Sequence, residues 1–184
     1  MSLPQSLPET SLPTGYTIRP GCREHLKAIA GIELAATSIF AESDVPLDIR
    51  YRVSDADALR AAQKSGRLWI ALYGDDQAVG FAQLEIIGGL AHLVEMDVHP
   101  DHAQQGIGSE LLRATVDWAR RKEYAAMTLV TFRHLPWNAP FYEKFGFSRI
   151  RPEEMSSALR DLIREEGAAG LNTQNRVAMR LSLT

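Results

Sequence analysis

Gly106 and Gly108 lie where a strand-like run, Val94-Glu-Met-Asp-Val98, passes through His-Pro-Asp-His-Ala-Gln-Gln into a helix-like run that starts at Ile107. Glycine at such a junction lets an anion come close to the backbone. The first turn of the helix offers unpaired N–H groups at the positive end of its macrodipole. The spacing therefore predicts a pyrophosphate site on Gln104, Gln105, Gly106, Ile107, Gly108 and Ser109. It is not a dinucleotide-binding fingerprint, because a third glycine and a preceding βαβ unit are missing. Nor is it a P-loop, because no Gly-Lys-Ser/Thr follows. An ordinary strand-to-helix turn would carry the same two glycines, so spacing alone goes no further.

Other chemistry-bearing residues are sparser. His99 and His102 stand near Asp97 and Asp101, but H-x-x-H across a proline turn is not a helical i, i+4 pair, and zinc wants three or four well-spaced ligands. A solvated turn is expected, and no metal. Cys22 is the one cysteine, which excludes an internal disulfide, suits a reducing cytoplasm and reads as a helix-start thiol. The 184 residues carry 45% hydrophobic side chains and a net charge of -3. That fits one folded domain with a sizeable core and no electrostatic footprint for nucleic acid. The longest apolar run, Leu68 to Tyr73, is far shorter than the roughly 20 residues that span a bilayer, so no membrane partner is expected.

The elements that must position these residues follow from periodicity and punctuation. Residues 1–14, rich in Ser, Pro and Leu, are expected to be a flexible arm, and 15–184 the folded domain. Tyr16 to Arg19 reads as a strand, 22–39 as a helix, 41–51 as a loop, and 56–63 as a helix started at Ser54. Three strands follow, 68–73, 78–86 and 90–98, turned at Gly74–Gln77 and Gly88-Gly89. Helix 106–121, strand 124–132, helix 138–145 closed by Gly146, strand 147–150, helix 156–166 and strand 175–183 complete the chain. The order describes a mixed α/β (α+β) sheet of six to seven mostly antiparallel strands flanked by helices.

Val98-His-Pro-Asp-His-Ala-Gln-Gln-Gly-Ile-Gly-Ser-Glu-Leu-Leu112 resembles the acyl-CoA pyrophosphate loop of the GNAT superfamily of N-acetyltransferases. Downstream, Pro136-Trp-Asn-Ala-Pro-Phe-Tyr142-Glu-Lys-Phe-Gly-Phe147 resembles that family's second hallmark, in the right order and at the right separation. The likeness extends over 16–183 through the element order. It implies an acetyl group moved from acetyl-CoA to a primary amine of a small molecule or peptide by direct attack in a ternary complex, in a cytoplasmic monomer or homodimer. It also implies that Met96, Asp97 and Val98 on the fourth strand flank the pantetheine arm, with the Met96 N–H on the thioester carbonyl and Asn138 as a further contact. Two positions depart from the pattern: Ala103 replaces the usual Arg or Gln that opens the loop, and Leu135 stands seven residues before the tyrosine, where many members have Asn.

The chemistry asks for a neutral amine and a protonated leaving thiolate. An amine of pKa about 10.4 is neutral in only roughly one molecule in 10³ at pH 7, so a base is useful. Tyr142 matches the family tyrosine beside the CoA sulfur, and a phenol of pKa about 10 can still donate there. For the base, His92 takes the position of the catalytic glutamate of the histone-acetylating branch. Glu95, three residues on, reaches the same face only through a bulge. A water relay is the third possibility. A non-catalytic acyl-CoA-binding module of the same fold is the alternative function. Glu42, Asp44, Asp48, Asp55 and Asp57 would favour a cationic acceptor if they faced the cleft, but loop acids are more often solvated and exposed, which is the expected case.

Overall fold

The computed structural model describes residues 11–184. The expected N-terminal arm therefore lies mostly outside the described residues. The elements are β1 (Tyr16–Pro20), α1 (Leu26–Ala36), α2 (Leu47–Arg50), α3 (Ala56–Lys64), β2 (Leu68–Tyr73), β3 (Gln77–Ile87), β4 (Leu90–Val98), α4 (Ile107–Arg121), β5 (Ala126–Phe132), α5 (Ala139–Lys144), β6 (Ser148–Arg149), α6 (Ser157–Ala168) and β7 (Arg176–Ser182). Seven strands form one mixed sheet in the order β1-β2-β3-β4-β5-β7-β6, and every pairing is antiparallel except β4–β5.

Strand alternation divides the core in two. Leu68, Ile70, Leu72 and Phe81 point to one face, where Ile29 and Ile32 of α1 and Leu59 and Ala62 of α3 cover them. Ala71, Ala82, Leu84, Ala91 and Leu93 point to the other, under Ile107, Leu111, Leu112 and Val116 of α4. The β3–β4 hairpin is closed by Gly88 and Gly89 at φ +57 and +78, the double positive φ that a two-residue type I′ turn requires.

Two local readings change. The segment expected to be a loop, 41–51, contains the short helix α2. Ser54 does not start α3; Asp55 caps it, accepting from the N–H groups of Asp57 and Ala58. Ser54 instead donates its hydroxyl and N–H to Glu33. Cys22 does sit at the start of the first helical segment, capping the turn Arg23–His25 with its sulfur 3.1 Å from His25 Nδ1.

The feature that makes a site is a break in the sheet. β4 and β5 pair only from Ala91 to Leu93 against Met127 to Leu129. Beyond that point both strands continue but part, β4 to Val98 and β5 to Phe132. Antiparallel strands can close over a short turn, whereas this parallel pair is joined through α4, so nothing local holds the far ends together. On its other edge β4 stays paired with β3 to Val98.

Candidate active site

The gap between β4 and β5 opens into a cavity of about 860 Å³ lined by Leu93 to Val98, by the loop His102–Gln104 with Gly106–Ser109, and by Asn138, Phe141 and Tyr142. Its opposite wall comes from Glu33, Phe40, Arg52, Trp137, Glu166 and Arg176. This volume is within the range of small-molecule sites.

The β4 edge supplies backbone groups. The His99 N–H bonds Val79 O on β3. Because successive N–H groups alternate sides along a strand, those of Met96 and Val98 turn toward the gap, where no β5 partner pairs with them.

A bulge decides the side chains. Glu95 pairs with Gln83 and Leu93 with Leu84, so Val94 is an extra residue, 41% exposed. The bulge brings His92, Glu95 and Asp97 onto one face, the face of α1. On an unbulged strand Glu95 would have joined the α4 face instead.

The two candidate bases then part company. His92 is 2% exposed, its Nδ1 2.9 Å from Thr128 Oγ1, and it does not line the cavity. Burial pulls it down to about 4, so it is neutral at physiological pH. Glu95 lines the cavity. It is exposed on the strand, and the accessible part includes the cavity wall. Poor solvation is the first cause that lifts it to about 7, and the Glu33 charge is the second; Arg176 and the Met96 N–H act in the opposite sense. Asp97, also lining, is raised for the same reasons: burial first, then Glu95 and Glu33.

Tyr142, on α5, is 9% exposed and set edge-on to Phe141 and Phe147. Burial, then the charges of Glu95 and Asp97, push its phenol upward, so it keeps its proton throughout the neutral range.

At the loop, Gly106 takes φ +80 as the residue before α4, and a Cβ there would meet no atom within 4 Å. Glycine thus supplies a left-handed turn beside open space. The helical ladder begins with Glu110 N–H on Gly106 O, so the N–H groups of Ile107, Gly108 and Ser109 have no acceptor inside α4. Gln104 is left-handed too, at φ +59, a conformation that disfavours side chains. It lines the cavity, as do Gly106 to Ser109, whereas Gln105 does not. Asn138 receives the Thr131 hydroxyl at 3.0 Å on Oδ1, and its buried Nδ2 has no protein partner. That orphaned donor, the unpaired β4 edge and the helix start fit the amide-bearing arm and pyrophosphate of an acyl-CoA.

The far wall was not legible as a site. Glu33 is 6% exposed and held by Ser54, and Glu166 forms a two-pronged ion pair with Arg176 at 2.8 Å per bond. Arg176 also lies over the Phe132 ring, 4.5 Å from its centroid. The signal available for Glu33 was its place among Ile29, Ile32 and Ala36 on the buried stripe of α1, where a carboxylate needs a reason. The expected acids are elsewhere: Asp44 bonds His134 Nε2 at 2.8 Å, Asp55 caps α3, Asp57 pairs with Arg60, and neither Glu42 nor Asp48 lines the cavity. His99 and His102 turn Nδ1 to the Asp101 N–H and to Tyr16 Oη, and among the described residues no group of three or more metal-ligating side chains gathers. No helix among them is long and apolar enough to cross a membrane.

Residues 34–147, more than half of the chain, match the model of the acetyltransferase (GNAT) family. The fold is similar to that of the ribosomal-protein-S18-alanine N-acetyltransferase from Escherichia coli, at 19% identity and a TM-score of 0.64 over 92% of this chain and 94% of that one. It is similar to the PaiA N-acetyltransferase from Thermoplasma acidophilum, solved in complex with coenzyme A, at 19% identity and 0.64 over 91% and 98%. A GNAT-family acetyltransferase from Staphylococcus aureus gives 16% identity and 0.69 over 92% and 99%. With the split β4–β5 pair and the glycine loop beside it, the chain belongs to the GNAT family of acetyltransferases.

Proposed function

We propose that the protein moves an acetyl group from acetyl-CoA directly onto a primary amine in a ternary complex. The observation that carries this reading is one cavity that holds, beside an unpaired strand edge, a carboxylate poised near neutrality and a phenol that stays protonated. Glu95 takes the proton from the incoming ammonium; with a pKa of about 7 it is both partly ionised and basic enough at cellular pH. The freed amine forms the N–C bond at the thioester carbonyl. The Met96 N–H holds the charge that gathers on the carbonyl oxygen. As the C–S bond breaks, the Tyr142 O–H donates its proton to the departing sulfur, and the phenolate is reprotonated by the second proton that leaves the new amide nitrogen. The Gln104–Ser109 backbone and Asn138 Nδ2 hold the rest of the donor.

The acceptor side favours cations. Glu166 and Arg176 neutralise each other, which leaves the carboxyls of Glu33, Glu95 and Asp97 against Arg52, and a cation entering the cavity relieves the mutual repulsion that raises Glu95 and Asp97. Phe40 and Trp137, edge to face at 6.4 Å, add aromatic surface for the body of the acceptor. An amine arriving as ammonium is drawn in and gives up its proton inside.

Calorimetry with acetyl-CoA, followed by a thiol-release assay over monoamines, diamines, aminoglycosides and peptide N-termini, tests the reading. Binding with release for at least one amine is the expected result. Binding without release for any of them would make the domain an acyl-CoA-binding module, and no binding would overturn the donor site.

A further inference from the structure

The donor loop lacks a side-chain anchor at Ala103, yet the residue before it is held with unusual care. His102 ends the turn Pro100–His102, whose backbone is fixed by its own N–H on His99 O at 2.9 Å and the Ala103 N–H on Pro100 O at 3.0 Å. Its ring packs against three others: Tyr16 at 5.7 Å, Tyr73 at 5.4 Å and His99 at 6.2 Å between centroids. Tyr16 Oη lies 2.8 Å from His102 Nδ1, joining β1 to the loop across 86 residues of sequence. Tyr16 is in turn stacked at a tilt on Tyr73, 4.8 Å away. His102 lines the cavity next to Ala103, Gln104 and the Gly106–Ser109 turn.

We propose that His102 supplies the side-chain donor to the acyl-CoA pyrophosphate that Ala103 cannot give. The inference rests on the reading of this cavity as an acyl-CoA site. The Tyr16 hydroxyl donates to Nδ1, which places the proton of a neutral imidazole on Nε2. The Nε2–H then donates to a phosphate oxygen whether or not the ring is charged. The three-ring clamp fixes the ring before the ligand arrives, so little side-chain freedom is lost on binding. An arginine at 103 would reach the same anion from the loop itself; here a histidine braced from β1 does so from one residue earlier. Tyr16 is thereby a positioning residue for the donor site.

Calorimetry on the whole protein with CoA, 3′-dephospho-CoA and pantetheine tests this. His102→Ala should weaken CoA and 3′-dephospho-CoA alike by roughly tenfold, the lower range for one hydrogen bond to a charged group, and leave the pantetheine heat signal as in the parent. Tyr16→Phe, which keeps the ring stack, should lose about threefold on the same two ligands. Ala103→Arg in the His102→Ala background should recover the loss. Equal CoA affinity in the parent and His102→Ala overturns the proposal. So does a loss seen with CoA but not with 3′-dephospho-CoA, which would place the contact on the 3′-phosphate. Failure of the parent itself to bind CoA would instead overturn the donor-site reading.

Discussion

On the proposed reading, the donor side of the cavity is built mainly by one segment, β4 to the start of α4, whose backbone groups would hold the ligand with Asn138 and His102 as side-chain contacts. The acceptor side takes Glu33 from α1, Arg52 from the loop after α2, Trp137 from the loop before α5, Glu166 from α6 and Arg176 from β7, and meets its ligand with side chains. A backbone site depends on φ, ψ and strand register, which many sequences can satisfy. A side-chain site depends on which residues stand at those positions, so it is free to change acceptor while the donor half stays constant. Tyr142 and Glu95 sit where the two halves meet.

The largest effect should come at that junction, on the donor side. Tyr142→Phe keeps the edge-on packing against Phe141 and Phe147 but removes the proton given to sulfur. It should lower kcat by roughly 10²–10⁴ and leave acetyl-CoA affinity within about twofold by calorimetry. A parent-like kcat would take the tyrosine out of the chemistry.

Removing charge from the other wall should act on the acceptor alone. Glu33→Gln should raise KM for a cationic acceptor severalfold at low salt and leave KM for acetyl-CoA unchanged. The difference from the parent should shrink as ionic strength rises, because screening shortens to about 8 Å at 0.15 M. A KM change that is equal for cationic and neutral acceptors would break the division into a backbone half and a charged half.

The smallest effect concerns a residue outside both halves. His92 is neutral when folded, its pKa brought down from 6.5 to about 4. The unfolded chain therefore binds a proton that the native state refuses once pH falls below 6.5. Stability from this residue is complete above pH 6.5 and is lost as pH falls toward 4, by roughly 3 kcal/mol in full. His92→Asn should flatten that part of the pH–stability curve in denaturant titrations. An unchanged acid limb would contradict the neutral, buried histidine.

Legibility followed the same division. The loop around Gly106 and the segment ending at Phe147 carried the family resemblance because each motif lies in consecutive residues, and the glycines mark backbone geometry directly. The strand and helix pattern was readable through β2 and β4, whose bounds match, since apolar alternation and paired glycines punctuate them. The inserted Val94, which reverses the facing of Glu95, leaves no compositional trace, so the bulge could be raised only through the family resemblance and not located. Glu33 and Glu166 were hidden for another reason: they are more than 130 residues apart in the chain, as the numbering shows, and meet only through the cavity. The loop acids at 42–48 drew attention by density. Yet Asp44 is used to tie that loop to His134.

The claim on which the two halves join is that Glu95, turned into the cavity by the bulge, is the base. The pH dependence of kcat/KM, measured with a primary amine of pKa near 10, tests it most directly. Below about pH 7 Glu95 must lose its proton while the amine arrives as ammonium, so log kcat/KM should rise with slope 1. Above that pH both partners are in the required form, and the profile should be flat until the amine itself titrates. In Glu95→Gln the break should vanish, leaving slope 1 throughout and a rate about 10² lower at pH 8, while His92→Ala should keep the break. A parent profile with no break near pH 7, or a Glu95→Gln profile that retains it, would contradict the account.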